Sequence, residues 1–320
     1  MNELGIPRWA APPPATGAVV MATGIVSVGF RLAGFTVLSA VAFVLDSALW
    51  LFLAGGFAAQ VAVDRREWLA RAQTPPALTA VAATTVLGVR LQLAGWTPAA
   101  AVLLVVAAAA WVVLLPRVMR RLGRRMPGAA FLICVATQGL AVLAAVLAPQ
   151  AGDGLAWAAL VLFLLGLGLY VDALVRFDLG QLAVGAGDHW VAGGAMAISA
   201  LAASKLLASG AWSGTAHTAL RTTTLVLLGI ALGWYLVLAC FEAGRPRLHY
   251  DLRRWSTVFP LGMTAVAALS AAAAARVSWL DPLGRVLLWI AAAVWLLTAY
   301  GAVRRAARAA REARTAGERV

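Results

Sequence analysis

Ten apolar runs follow one another along the chain, each near the ~20 residues a helix needs to cross a hydrocarbon core. They cover 13–33, 36–61, 75–95, 98–115, 127–148, 154–175, 189–208, 217–241, 255–276 and 281–303. No other feature constrains the fold as much. In lipid every backbone N–H and C=O must be satisfied within the protein, so each run is read as a helix. The connections are short, which predicts an all-α polytopic membrane protein. One transmembrane unit, 13–303, lies between an N-terminal segment, 1–12, and a basic tail, 304–320. With 62% hydrophobic and 12% charged residues, the composition excludes an ordinary soluble domain. No basic start, short apolar core and small-residue cleavage site precede the first run, which is expected to stay in the mature protein.

The formal net charge of +13 is spread over the loops. Charge in that place reports topology and not a nucleic-acid partner. Of 26 Lys and Arg residues, 20 lie on the side that holds both termini and the loops after the even runs. The other side holds Arg31, Arg90, Lys205, Arg221, Arg276 and Arg285. This asymmetry predicts both termini in the cytoplasm. Cys134 and Cys240 lie inside apolar runs without CxxC spacing, and His189, His217 and His249 form no helical pair. Neither a disulfide framework nor a metal or other cofactor is expected.

A weak repeat runs through the odd-numbered runs, which open on Pro14, Pro75, Pro127, Trp190 and Trp255. Nine residues on, a rise of about 13.5 Å, stand Thr23 (followed by Gly24), Thr84, Ser199 and Thr264. From Pro127 the same step gives Ala136, with Thr137 and Gln138 directly after it. Five helical hairpins thus place small or hydroxyl residues near the membrane midplane, where transporter repeats build their sites. Two readings stand. The hydroxyls line a polar path, or they satisfy their own helix carbonyls and permit close packing. The ninth run reads WSTVFPLGM at 255–263, and its Phe259–Pro260 pair predicts a bend facing a central path.

Charged residues inside the runs also carry two readings. Arg31, Arg90, Lys205 and Arg276 fall near the same end of runs 1, 3, 7 and 9. They form an electropositive rim that concentrates anions, or they snorkel to the interface. Asp46 and Asp172 lie in even runs, read as the outer layer, where pairing with a basic side chain is the favoured role. A membrane enzyme or a non-transporting scaffold are the competing functions. Against an enzyme, no G-x-S-x-G elbow, helical His pair or carboxylate-rich metal motif occurs. In the one close acid–base pair, Asp188–His189, Asp188 is read as a helix N-cap.

Four stretches together resemble the tellurite-resistance/dicarboxylate transporter family, which includes malate permeases, sulfite pumps and plant slow anion channels. They are PATGAVVMATGIVS (14–27), FLICVATQGLAVLA (131–144), GDHWVAGGAMAISALA (187–202) and WSTVFPLGM (255–263). The resemblance implies ten helices as five hairpins in a pseudo-fivefold ring, commonly as a homotrimer. The odd helices would surround a pore occluded by a phenylalanine, here Phe259. It also implies small anionic substrates: malate and other dicarboxylates, sulfite, chloride, nitrate or tellurite-related anions. Pore-lining candidates are Thr23, Gly24, Thr84, Thr137, Ser199, Pro260 and Thr264.

Overall fold

The structure is a computed structural model that describes residues 16–63, 65–245 and 250–317. The segment 1–12 and Pro14 lie outside the described residues. Ten helices follow the ten apolar runs: α1 (Gly17–Leu32), α2 (Thr36–Val63), α3 (Thr79–Leu93), α4 (Thr97–Met119) and α5 (Leu132–Ala151), then α6 (Asp153–Arg176), α7 (Val191–Ala208), α8 (Gly214–Gly244), α9 (Trp255–Ala274) and α10 (Leu280–Gly317). Among the described residues, nine are long and apolar enough to cross a membrane, and α1 is apolar but shorter. The basic tail continues α10 as helix to Gly317.

Each odd helix packs on the even helix that follows it, giving five hairpins. The odd helices also touch in the order α1, α3, α5, α7, α9 and back to α1, so the inner ring closes. Burial separates the layers. The membrane-length window of α5 is 94% buried in protein, and that of α2 only 11%. The exposed Val37, Leu51, Val105, Val175 and Leu297 of the even helices are ordinary lipid-facing side chains.

Lipid tails are as apolar as leucine, so helices are held together by packing and polar contacts more than by water exclusion. Small residues supply the close packing. A Cβ added to Gly194 of α7 would lie 2.8 Å from Pro260 Cγ of α9, and one on Gly262 of α9 would lie 2.8 Å from Ile25 of α1. Helix α9 runs unbroken across Pro260, whose carbonyl accepts the Thr264 hydroxyl at 2.9 Å. The odd helices also share their openings: short 3-10 turns, Pro75–Leu78, Gly128–Phe131, Asp188–Trp190 and Leu252–Arg254, lead directly into α3, α5, α7 and α9. Asp188 is the first residue of its turn, behind Gly187. It makes no side-chain cap bond, which corrects the N-cap reading.

The turns at the other end repeat as well. After α1, α3 and α7 the chain reverses through Gly34 (φ +87°), Gly95 (φ +83°) and Gly210 (φ +77°). After α9 the same place is held by Arg276, the one described non-glycine residue with positive φ, at +54°. A left-handed backbone costs an L-residue about 1–2 kcal/mol that glycine avoids. Arg276→Gly is therefore expected to stabilise the protein by about 1 kcal/mol. Thermal unfolding in detergent should show a higher midpoint, and an unchanged or lower one would reject this account of the turn.

Candidate pore

At the centre of the ring lies a cavity of about 20 Å³ with a wholly apolar wall, lined from all five inner helices. Its wall comes from Ile25 and Val28 of α1, Thr85, Val86 and Val89 of α3, Gly139 and Val142 of α5, Ile198 and Leu201 of α7, and Met263 of α9. A water needs about 10–15 Å³ of such space and polar partners besides, so the axis has room for about one water and offers it nothing to bond. It is closed to a hydrated anion.

The five predicted hydroxyls lie elsewhere. Thr23, Thr84, Thr137 and Ser199 each donate at 2.8 Å to the carbonyl four residues earlier, as Thr264 does to Pro260. Three of them also accept an indole N–H from the outer helix of the preceding hairpin. Trp50 of α2 donates to Thr84 at 3.0 Å, Trp111 of α4 to Thr137 at 2.9 Å, and Trp295 of α10 to Thr23 at 3.1 Å. These hydroxyls are thus occupied at the seam between inner and outer layers. Ser199 faces Cys134 of α5 at 3.8 Å. None of the five belongs to the cavity wall, and Thr85, one residue after Thr84, does. The signal for this was available: Trp50, Trp111 and Trp295 lie mid-run, where an indole N–H needs an acceptor, and not at the interface.

Phe259 is fully buried on α9. It precedes Met263 by four residues, so the two share one helix face, and Met263 lines the axial cavity. Pro260 packs on Gly194, and Gly24 is wedged against Val86 and the carboxyl of Asp46.

The four cations occupy different settings. Arg31 and Arg276 are exposed, Arg276 in the turn already described. Arg90 is buried: its Nε donates to Ser27 Oγ at 3.0 Å, and its guanidinium lies 4.5 Å from the centre of the Phe43 ring. Ser27 and Ser39 in turn exchange hydroxyl-to-carbonyl bonds of 2.8 Å between α1 and α2, so Arg90 is held at that seam. Lys205 is half-buried on α7, four residues beyond Leu201 and seven beyond Ile198, on the face that lines the axis. Of the two intramembrane acids, Asp172 is paired: Arg176 grips it through Nε and Nη2 at 3.0 Å and donates through Nη1 to Gly123 O at 3.2 Å. Asp46 has no such partner. Among the described residues, no group of three or more His, Cys, Asp or Glu is placed to hold a metal.

The sequence pattern of the SLAC1 family, described as voltage-dependent anion channel, matches residues 12–303. The chain belongs to that family. It is also similar to two uncharacterized membrane proteins of Mycobacterium tuberculosis, from strains CDC 1551 / Oshkosh and ATCC 25618 / H37Rv. Each is 32% identical over 121 residues, which cover 34% of this chain and 59% of the relative. The chain therefore spans a little over half the length of these curated relatives. Family membership agrees with the ring of five hairpins, and it makes the chain a multi-pass protein of a channel and transporter family.

The indole–hydroxyl contacts generate a test of how the two layers are joined. A neutral hydrogen bond contributes about 0.5–1.5 kcal/mol net. Trp111→Phe and Thr137→Ala should each lower the thermal midpoint, with a coupling energy of about 1 kcal/mol between them in a double-mutant cycle. Additive effects would show that the contact joins nothing.

Proposed function

We propose that this chain moves small anions along the axis of its inner ring. The observation that carries the reading is the closed ring itself, with an apolar constriction lined from all five odd helices. Phe259 closes the path below Met263, one turn toward the amino end of α9. In support, the two residues share a helix face, and Phe259 is among the largest fully buried side chains. The positive-inside asymmetry puts both termini and this closure on the cytoplasmic side of a cell membrane. An apolar gate without a fixed charge suits conduction, because a buried charge at the constriction would trap the ion that passes it.

Lys205 marks the opposite mouth. On the axial face of α7, beyond Leu201, its half-buried ammonium attracts anions to the constriction. The other predicted rim cations act there less directly. Arg31 and Arg276 stand at exposed ends, and Arg90 is engaged with Ser27 and Phe43. C4-dicarboxylates, sulfite, tellurite-related anions, chloride and nitrate form the substrate range to be tested. A homotrimer, as the resemblance implies, is the assembly proposed, with each protomer holding its own path.

Purified protein in liposomes decides the matter when flux of malate, sulfite, chloride and nitrate is measured. At least one anion is expected to cross. Phe259→Ala should raise its flux by about tenfold or more, which corresponds to a barrier lowered by about 1.4 kcal/mol. Lys205→Gln should lower flux most at low ionic strength, where the attraction is least screened. Absence of flux for every anion, in both wild type and Phe259→Ala, would overturn the reading.

A further inference from the structure

Helix α2 faces lipid along most of its 28 residues, and its three buried residues are all polar: Ser39, Asp46 and Gln60. Seven residues separate Ser39 from Asp46, so both lie on the stripe turned toward the inner ring. Ser39 is satisfied by Ser27. Asp46 is fully buried, and neither of its carboxyl oxygens has a hydrogen-bond partner. It packs against the bare backbone of Gly24, where an added Cβ would lie 2.7 Å from Oδ2.

The groups around Asp46 are few. It is the only acidic residue in α1, α2 or α3. From α3 it is faced by Arg90, and Arg31, at the exposed end of α1, acts on Arg90. The short helix Arg65–Arg71 meets the distant end of α2 with Arg71. Arg90 spends its Nε on Ser27 and its π-face contact on Phe43, and its Nη1 is buried without a partner. An acid and a base in one wedge thus each leave polar atoms unsatisfied. An unpaired buried carboxylate is too costly to persist as such. A proton on Asp46 removes the charge. Alternatively, Arg90 turns its free edge to it.

We propose that Asp46 is a proton-binding site coupled to the axial path. In the conformation described here the carboxyl carries the proton and Arg90 stays with Ser27 and Phe43. When the proton leaves to water, Arg90 swings from that seam to neutralise the carboxylate. The swing reaches the path directly. Gly24, on which Asp46 rests, adjoins Ile25, and Val86 packs on the same glycine. Val86 precedes Arg90 by one turn and Val89 adjoins it, and Ile25, Val86 and Val89 all line the constriction. Proton release therefore pulls on two of the five walls. The coupling rests on the anion path proposed above, whereas the proton site itself does not.

Two readouts on the whole protein in phosphatidylcholine vesicles separate the two. Infrared spectra recorded as the pH is raised should contain a carboxylic C=O band that is lost on alkalinisation. Asp46→Asn should remove the band, and Arg90→Gln, by deleting the counter-charge, should let it survive to higher pH. If Asp46→Asn leaves the spectrum unchanged, or Arg90→Gln leaves the titration where it was, the proton site is wrong. Because the Arg90 variant reports on Asp46 in place, a misfolded Asp46→Asn does not remove the test. In the flux assay, wild type should depend on pH and Asp46→Asn should not. A pH profile shared by both would overturn the coupling. Absence of any anion flux would count against the path and leave the infrared result to judge the proton site.

Discussion

The structure depends on how helices adhere in a solvent as apolar as their own side chains. Burial of leucine against leucine gains little there, so the inner ring is joined where backbones approach closely and where polar groups find partners. Gly194 against Pro260 and Gly262 against Ile25 bring α7, α9 and α1 together. The indoles of Trp50, Trp111 and Trp295 tie outer helices to inner ones through threonines that donate onward to their own helices. Each such threonine serves as acceptor and donor at once. Three of the five hydroxyls therefore join inner helix to outer helix, and the wall of the axial cavity is left apolar.

Much of this was legible in the sequence. The ten runs gave the helices, and the period of the openings gave the hairpins, because charge-free length and proline placement are local properties. The depth of Thr23, Thr84, Thr137, Ser199 and Thr264 was legible for the same reason. Their direction depends on tryptophans of helices elsewhere in the ring; the mid-run placement of those indoles signals that an acceptor is needed, but which hydroxyl supplies it is set by packing between hairpins. Arg276 shows the same limit. As a cation at a helix end it read as part of a rim, whereas the backbone uses it as the left-handed residue of the fifth turn. Asp172 met the partner expected of it four residues along its own helix. Asp46, for which pairing was also expected, lies buried beside Arg90 without a bond to it.

These placements divide the polar inventory of the membrane region by task. Hydroxyls and indoles assemble the layers, and Asp172 with Arg176 fastens the loop around Gly123. Lys205 is left on the axial face, and Asp46 with Arg90 behind the wall of the constriction. On the proposed reading, an apolar gate with a cation on one side and an acid behind one wall has the parts of a regulated anion path, and packing alone supplies its resting closure.

Whether that axis is the path is tested most directly by thiol block of flux in a Phe259→Ala background with Cys240 replaced by serine. Met263→Cys lines the constriction and Val105→Cys faces lipid on α4. A charged thiol reagent should abolish anion flux through the Met263→Cys protein and leave the Val105→Cys protein unaffected. Equal insensitivity of the two, with flux intact, would place the path outside the ring.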